Sequence, residues 1–465
     1  MISMTCELGK VVDFVQNLGG EFVDLRSEKH KMKQINVVNG VVQKFTSSIF
    51  NGVAVRVKVG NAWGLASTSI STLDSLKDAG RTAFKLARAS SAYSKKKMAI
   101  PEMKPVTKSL KKRVKIDPED VDGEEKLKFV FELDRAQRET DKRIASRTSI
   151  YLENAKKFEL ANSFGSELCW EETRTTLAVL SVALETGRLE MGSDTKGGTV
   201  GYELVKETDP NEFAGNVAKE AVEMLSAAKP PGGMMKVVVD PSIAGVLAHE
   251  VIGHASEADE VIRARSFLHD AVGKQVGSNL VTMIDDGTLA KANGSIPYDS
   301  EGIPSSRTAI IKDGVYIGFM HSLETASALG SKPTGNGRAQ DYNRRVWVRM
   351  TNTFFEPRDW KLDEIVSDTR NGLLALKEIS GMEDPVGGGF QVRARKGCII
   401  RNGEKRELVR SFTLTGRALE ILKTVDAVSR DFLLTRGNCG KGEEDYVPAS
   451  TGGPYMRADI IVGGG

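Results

Sequence analysis

The chain has 465 residues, of which 40% are hydrophobic and 27% charged; this balance is typical of a folded globular protein and excludes a disordered or fibrous chain. Its length exceeds what one hydrophobic core usually supports, so we expect two or three domains. The formal net charge of +3 is small for this length and gives no reason to expect a nucleic-acid partner.

The N-terminus and the cysteines predict a cytoplasmic location. No charged segment followed by an apolar run stands at the start of the sequence, so we expect no secretory signal. No apolar stretch approaches the roughly 20 residues that a membrane-spanning helix needs, so no membrane partner is expected. In a reducing compartment the cysteines should be free thiols, unless one binds a metal. The four cysteines are Cys6, Cys169, Cys398 and Cys439.

Residues 1–93 have the pattern of an N-terminal α+β domain. Apolar residues at helical spacing near the start predict a first helix. Strand-like runs follow and turn at Asn39-Gly40, a dipeptide that strongly favours a two-residue hairpin turn. Thr72 is then placed to cap a second helix.

Residues 94–116 have the composition of a solvated basic linker, with Lys95-Lys96-Lys97, a second basic triplet and two prolines. The alternative is a contact with nucleic acid, but no aromatic residues are interleaved for base stacking.

A central α+β domain is predicted over residues 117–232. It begins with a helix over residues 123–144, continues as several strands, and ends with a helix that Asp209 caps and Pro210 opens. The order of helices and strands resembles that of the first domain. From residue 233 to 465 the sequence is glycine-rich and mostly β, with a helix predicted near residues 417–428. The predicted class is therefore α+β: a mixed multi-domain protein with antiparallel sheets, helices in its N-terminal half and a β-rich C-terminal domain.

A metal-binding pattern lies near the start of this C-terminal domain. Asp240 is placed as the N-cap of a helix that carries His249, Glu250 and His254. In the familiar zinc motif the two histidines are four residues apart and share one helix face. Here they are five apart, about 140° around a regular helix instead of about 40°. The helix must therefore widen by one residue, as in a π-bulge, or end before the second histidine, and Gly253 tolerates either departure.

Taken alone, the spacing leaves both a metal site and a chance arrangement open. Further blocks of sequence decide between them. The blocks are His249–His254, Pro333–Arg338, Arg349–Thr353, Gly387–Gly389 and Cys439–Lys441. In their order and spacing they resemble the TldD/PmbA family, specifically its TldD branch. The resemblance covers most of the chain and is densest from residue 236 onward.

The resemblance implies a three-domain zinc peptidase, with the C-terminal domain binding the metal. Zn²⁺ would be held by His249, His254 and Cys439, with Glu250 as the catalytic carboxylate. It also implies a dimer, formed either with a second copy or with a PmbA-type relative that lacks the metal motif. The Glu443-Glu444-Asp445 run that follows Cys439 departs from the family pattern.

Two imidazoles and one thiolate would leave a fourth zinc position for water, as in catalytic sites. The metal-bound water, activated by Glu250, would attack the peptide bonds of peptides or unfolded proteins. For Cys439 the alternative is a buried structural thiol, but its polar, glycine-rich setting predicts a loop and favours a ligand. Two other functions stay open: a non-catalytic binding or modulator protein with a structural zinc, and a zinc amidase.

Several residues are weaker candidates. His321 is a candidate for stabilising the oxyanion. His269 is a candidate third ligand if Cys439 is not one, and otherwise a surface or hydrogen-bonded histidine. His30 is expected to be structural. The run Gly387, Gly388 and Gly389 most simply allows a tight turn; alternatively it binds substrate, by letting an extended peptide add as a strand.

Overall fold

The computed structural model describes residues 4–93 and 100–463. Residues 94–99 of the predicted basic linker lie outside the described residues, as does the side chain of Cys6. None of the helices within the described ranges is long and apolar enough to span a membrane.

The N-terminal half alternates helices with long strands. Its elements are α1 Met4–Asn17, β1 Phe22–Val38, β2 Val41–Val59, β3 Ala62–Thr68, α2 Leu73–Ser91, β4 Thr107–Leu110, a 3₁₀ turn Pro118–Asp120, α3 Gly123–Thr140, β5 Ile144–Asn162, β6 Glu167–Glu185, β7 Arg188–Gly198, α4 Glu203–Lys206 and α5 Pro210–Met224.

These strands form one seven-stranded sheet in the described part of the chain. β1 and β5 pair antiparallel at its centre, and each is followed outward by its own hairpin partner, in the order β3-β2-β1-β5-β6, with β7 on β6. The first and central segments thus repeat one order of helix, three strands and helix, as the sequence indicated. β4, from the predicted linker segment, pairs in parallel with β6.

Local sequence explains the predicted turns and caps. Asn39 and Gly40 have φ angles of 51° and 78°, the left-handed conformation that a two-residue hairpin turn of this type requires. The Thr72 side chain accepts a hydrogen bond from the Ser75 N–H at the start of α2. These predictions from the sequence are confirmed.

The C-terminal half is richer in strands. Its elements are β8 Gly233–Val239, α6 Pro241–Val246, a π-helix Leu247–Gly253, a 3₁₀ turn His254–Ser256, α7 Ala258–Ile262, β9 Met283–Asp286, β10 Arg307–Lys312, β11 Val315–Tyr316, α8 Leu323–Leu329, β12 Gly337–Arg338, β13 Trp347–Val348, β14 Asn352–Phe355, α9 Leu362–Thr369, β15 Gly372–Glu383, β16 Gly389–Arg401, β17 Glu404–Val409, β18 Phe412–Arg417, α10 Ala418–Lys423, β19 Ala427–Lys441 and β20 Glu444–Gly463.

Most of these strands belong to one sheet, in which part of the pairing closes on itself. The order runs β20-β18-β16-β15-β8, and β8 also pairs with β20. Most neighbours are antiparallel, while β8–β15 and β14–β20 are parallel. The largest hydrophobic cluster packs α6 and the π-helix against these strands. The predicted α+β class, with antiparallel sheets and a β-rich C-terminal half, is confirmed.

Two predicted helices are shorter than the sequence indicated. α3 ends at Thr140 and not at residue 144, because the chain turns at Asp141 and enters β5 at Ile144. α10 covers Ala418–Lys423 only, because Ala427 already pairs with Arg457 of β20. In both cases the last apolar residues of the helical pattern belong to the following strand.

Candidate metal centre

The helix that carries the candidate ligands is fixed at its start by Asp240. Its carboxylate accepts a hydrogen bond of 2.9 Å from the Ile243 N–H, which caps α6, and one of 2.8 Å from the Lys377 N–H of β15. Pro241 is the first residue of the helix. The predicted cap and first residue are confirmed, and the cap also ties α6 to β15.

A π-helix brings the two histidines together. The His254 N–H donates to the carbonyl of His249, five residues earlier, where a regular helix would use the residue four earlier. The two imidazole rings have centroids 5.2 Å apart and planes at 82°. One of the two departures that the spacing predicted, the widened helix, is therefore confirmed.

Gly253 serves this turn by leaving space. Its φ of −61° is ordinary for a helix, so the conformational freedom expected from the sequence is not what the site uses. A β-carbon at this position would lie 2.1 Å from Met350 Sδ and 3.0 Å from the Ala248 carbonyl oxygen. Any side chain here would force Met350 to move, so the close packing favours glycine.

Cys439 lies in strand β19 and not in the loop that its sequence predicted. It pairs with Val447 of β20, because this polar, glycine-rich stretch continues the hairpin almost to its turn. The thiol is buried, with Sγ 3.8 Å from His254 Nε2. One candidate ligand atom from each of His249, His254 and Cys439 lies within 4.8 Å of the other two.

The three side chains influence one another's charge. Burial alone would raise the pKa of the Cys439 thiol, but His254 and His249 outweigh burial and lower this pKa well below its ordinary value. Burial disfavours the imidazolium form of His254, yet the charges on Cys439 and Glu257 raise the pKa of His254 well above its ordinary value. This shift favours the thiolate form, which is the form that binds metals.

These residues fit a transition-metal ion. Nδ1 of His249 is buried without a hydrogen-bond partner among the described residues, and leaving such an atom unpaired is costly. Imidazole nitrogens and a thiolate are the donor types of zinc sites. A cation between the three side chains would also balance the negative charge of the buried Cys439 thiolate.

A carboxylate behind His254 orients the ring. Glu257 accepts from His254 Nδ1 at 3.1 Å, which leaves Nε2 facing Cys439. Lys441 donates to Glu257 at 2.8 Å and to Asp259 at 2.7 Å. Burial disfavours the Glu257 carboxylate, but Lys441 and then His254 overcome burial and lower the pKa of Glu257 to about 2. Such carboxylate–histidine pairs fix the ligating nitrogen at metal sites.

Arg349 holds the strand that carries the thiol. This fully buried side chain donates to the carbonyl oxygen of Cys439, and at 3.1 Å to Glu444. Burial raises the pKa of Glu444 to about 7, against the opposing charge of Arg349. The acidic run that departs from the family pattern thus contributes one buried partner to the arginine that supports Cys439.

Glu250 is partly exposed beside the ligands. Its Oε2 lies 3.8 Å from His254 Nε2. Strand β15 packs directly against it, since a β-carbon at Gly381 would lie 3.0 Å from Glu250 Cγ.

A second carboxylate, Glu383, belongs to the same cleft. One oxygen each from Glu250 and Glu383 and a ring nitrogen of His254 lie within 4.8 Å of one another. Burial raises the pKa of Glu383 to about 7, with His254 opposing and Glu250 adding to this shift.

Three sequence profiles of a single family match the chain almost end to end. They are described as the PmbA/TldA metallopeptidase domain 1 over residues 23–87, the central domain over 116–228 and the C-terminal domain over 232–464. The chain belongs to the PmbA/TldD metallopeptidase family. The resemblance stated from the sequence is confirmed.

Curated relatives of the family carry metalloprotease names. A metalloprotease of Methanocaldococcus jannaschii is 37% identical over 443 residues, covering 95% of this chain and 97% of the relative. A metalloprotease of Methanothermobacter thermautotrophicus is 33% identical, covering 96% of each chain. A metalloprotease TldD homolog of Haemophilus influenzae is 28% identical, covering 99% of this chain and 96% of the relative.

Solved structures of low sequence identity share the fold. A Thermotoga maritima protein described as a modulator of a DNA gyrase superposes with a TM-score of 0.80 at 18% identity, covering 97% of this chain and 98% of its own. TldE from Thermococcus kodakarensis superposes with a TM-score of 0.75 at 16% identity, covering 98% and 99%.

In this PmbA/TldD-family chain, two of the weaker histidine candidates lie outside the metal-binding groups of the described residues. His321 is buried, with Nδ1 3.3 Å from Thr325 Oγ1, and burial lowers its pKa to about 4. His269 pairs at 2.9 Å with Asp270 at the surface. The predicted oxyanion role of His321 stays a prediction, whereas His269 is not among the side chains gathered around Cys439.

His30 is a buried residue of the N-terminal sheet. Its ring packs on Phe50 with centroids 4.3 Å apart, and burial lowers its pKa to about 3. A neutral ring packed on an aromatic neighbour agrees with the structural role expected for it.

Gly387 and Gly388 belong to the turn between β15 and β16, and Gly389 opens β16, in line with the simpler interpretation of this run. Gly388 has a φ of 71°, its N–H donates to the Asp384 carbonyl, and its carbonyl accepts from Ala418. The carbonyl of Gly389 accepts from the Asp384 N–H, and that of Gly387 accepts from Arg417. These backbone groups already have partners within the chain, and a role in substrate binding stays a prediction.

The unpaired backbone of this hairpin lies elsewhere, on β15. β16 pairs with one edge of β15 along its whole length, whereas β8 covers the other edge only at Leu373–Ala375. Among the described strands, none covers that edge from Glu378 to Glu383. The sequence did not reveal Glu257, Arg349 or Glu383 as site residues, because no local motif links them to the histidines.

Proposed function

We propose that this chain is a zinc-dependent peptidase that hydrolyses peptide bonds in peptides or unfolded proteins. The observation that carries the proposal is the convergence of His249, His254 and Cys439, whose candidate ligand atoms lie within 4.8 Å of one another. The metalloprotease names of its relatives support hydrolysis of peptide bonds.

The donor set supports zinc as the metal. Two imidazoles and one thiolate suit this ion in composition and number, and three protein ligands are typical of catalytic zinc sites. One relative, from Saccharolobus solfataricus and 26% identical, is named a zinc metalloprotease TldD homolog. Bound zinc would supply a Lewis acid for the peptide carbonyl and lower the pKa of the attacking water.

The residues of the chain would divide the remaining work. Glu250, partly exposed and 3.8 Å from His254, would accept the proton of the attacking water and return it to the leaving amine. Glu257 would hold His254 in the tautomer that offers Nε2 to the ion. Arg349, through its bond to the Cys439 carbonyl, would keep the thiolate in place.

The substrate would lie extended beside this cleft. Beyond Glu378, whose N–H donates to Ser242 Oγ, the edge of β15 up to Glu383 offers backbone groups without a strand partner among the described residues, next to Glu250. An extended peptide can pair with such an edge through its main chain, largely independently of sequence. We expect the protein to act as a dimer, with a second copy or with a PmbA-type relative. The cytoplasmic location stays a prediction.

Two alternatives remain testable. A structural neighbour is described as a modulator of a DNA gyrase, which corresponds to a binding protein with a structural zinc; a zinc amidase is the other. A structural zinc would be closed by four protein ligands, whereas in the described part of the chain two imidazoles and one thiolate converge, beside partly exposed carboxylates. This arrangement favours catalysis.

The test compares wild type with Glu250→Gln, on casein-derived peptides and on a small amide substrate. Zinc content should be unchanged in the variant, because Glu250 is not a proposed ligand, while peptide turnover should fall by at least 100-fold. A chelator should abolish wild-type turnover and added zinc restore it. Glu420→Gln, an exposed position on α10, is the matched control. Normal peptide cleavage by Glu250→Gln would refute the mechanism, and turnover of the amide alone would favour the amidase.

A further inference from the structure

Glu383 is a second carboxylate in the proposed cleft. It is the last residue of β15 and lies two residues after Gly381, so both point to the same face of the strand. That face packs on the ligand-bearing helix, because a β-carbon at Gly381 would lie 2.5 Å from Val246 Cγ1 and 3.0 Å from Glu250 Cγ. The chain thus places Glu383 beside Glu250, facing the substrate.

The Glu383 carboxylate lies near the His254 ring and the Glu250 carboxylate. Among the described residues it makes no ion pair with a lysine or arginine within 4.0 Å, unlike Glu257, which pairs with Lys441 at 2.8 Å. A divalent ion would be balanced by the Cys439 thiolate and the Glu250 carboxylate together. Glu383 then adds a further acidic group beside the proposed cleavage site, in a partly buried position where charges interact more strongly than in water.

The spacing of the carboxylates suits an ammonium group. One ammonium group can donate to two carboxylate oxygens that lie up to about 5 Å apart, since each bond is about 2.8 Å long. One oxygen of Glu250 and one of Glu383 lie within 4.8 Å of each other, which is close enough for such a shared contact. Both residues are partly exposed, so a substrate cation can reach them from the open edge of β15.

We propose that Glu383 is a specificity-determining residue that selects substrates carrying an ammonium group beside the scissile bond. This inference rests on the proposed peptidase function. The ammonium can come from two sources: the free α-amino group of a peptide that begins at the cleaved residue, or a lysine side chain next to the cleaved bond. Both sources place an alkylammonium at the same pair of carboxylates.

The test uses four fluorogenic peptides that differ only at the residue before the cleaved bond. Two contain lysine or the isosteric neutral norleucine within a longer chain. The other two begin at that residue, with a free or an acetylated α-amino group. Wild-type kcat/KM should be about tenfold or more higher for at least one charged peptide than for its neutral partner, because hydrogen bonds to charged groups are stronger than those between neutral groups. The pair that shows the difference identifies the source.

Glu383→Gln should bring this charged-to-neutral ratio close to one, whatever the change in the absolute kcat/KM values. Because the ratio is internal to each enzyme, partial loss of folded protein cancels. Glu420→Gln removes one charge from an exposed position and should keep the wild-type ratio. Equal turnover of charged and neutral peptides by wild type would overturn the inference while leaving the peptidase intact. So would a Glu383→Gln variant that keeps the preference or that loses its zinc.

Calorimetric binding of the same four peptides to wild type and Glu383→Gln gives a readout that needs no turnover. If no peptide is cleaved, the peptidase proposal fails, but the binding ratio still decides the role of Glu383. Charged peptides should bind wild type about tenfold more tightly than neutral ones and bind the variant equally. Equal affinities for wild type would overturn the inference.

Discussion

Gly381 offers a perturbation of the site that touches neither a ligand nor the catalytic carboxylate itself. In Gly381→Ala the new β-carbon would lie 2.5 Å from Val246 Cγ1 and 3.0 Å from Glu250 Cγ. Carbon atoms in contact prefer about 3.5–4.0 Å. The strand or the helix must therefore give way by roughly 0.5–1 Å, and part of that movement falls on Glu250.

This displacement should reduce catalysis far more than folding. A shift of about 1 Å in a catalytic group can cost around 100-fold in rate, so we expect kcat to fall by about 10- to 100-fold. Overpacking of one methyl group should cost about 1–3 kcal/mol in the free energy of unfolding. Zinc content should stay at the wild-type level, because the three proposed ligands do not contact the new methyl group.

The assay measures kcat on a cleaved peptide, zinc by atomic emission, and stability by urea unfolding. Gly437→Ala is the matched control in the same sheet, since its β-carbon would meet only the Ala449 carbonyl oxygen at 3.9 Å. Wild-type kcat in Gly381→Ala would refute the placement of Glu250 against β15. So would a loss of zinc as large as the loss of activity.

Three further outcomes are expected. Glu257→Gln should weaken zinc binding by about 10- to 100-fold in a competition assay with a chelator. Without metal, the variant should have a lower free energy of unfolding than wild type above the ordinary carboxyl pKa of 4.5, and this difference should shrink as pH falls toward about 2. A difference that does not change with pH would contradict this. Zinc binding should release protons from the histidines and fewer from Cys439, whose pKa is already low. Calorimetry in buffers of different ionisation enthalpy measures the number of protons released. No proton release would contradict the raised pKa values of the histidines. Arg349→Met should lower the free energy of unfolding, measured with urea, by about 3–5 kcal/mol. The double variant with Glu444→Gln should recover part of this loss. A loss below about 1 kcal/mol would show that the buried pair does not stabilise the fold.

Features that depend on neighbours in sequence could be predicted. The turn at Asn39-Gly40 and the cap at Asp240 follow from the conformational preferences of single residues. The widened helix followed from the five-residue spacing of His249 and His254, since a regular helix separates them. These features need no knowledge of the tertiary structure.

Features that depend on tertiary pairing could not be predicted. The sequence around Cys439 predicts a polar loop, but pairing with β20 makes this segment a strand. Gly253 was expected to supply conformational freedom, but Met350, distant in sequence, makes it necessary for space. Glu383 reaches the cleft because β15 packs against the helix that carries the ligands.

The most direct test is zinc K-edge X-ray absorption on the zinc-loaded protein, with Cys439→Ala and Cys398→Ala as a matched pair. The account predicts two imidazole nitrogens at about 2.0–2.1 Å and one sulfur at about 2.3 Å. It also predicts that the sulfur contribution disappears in Cys439→Ala and persists in Cys398→Ala. A spectrum without sulfur in the wild type, or one unchanged in Cys439→Ala, would contradict the proposed metal centre.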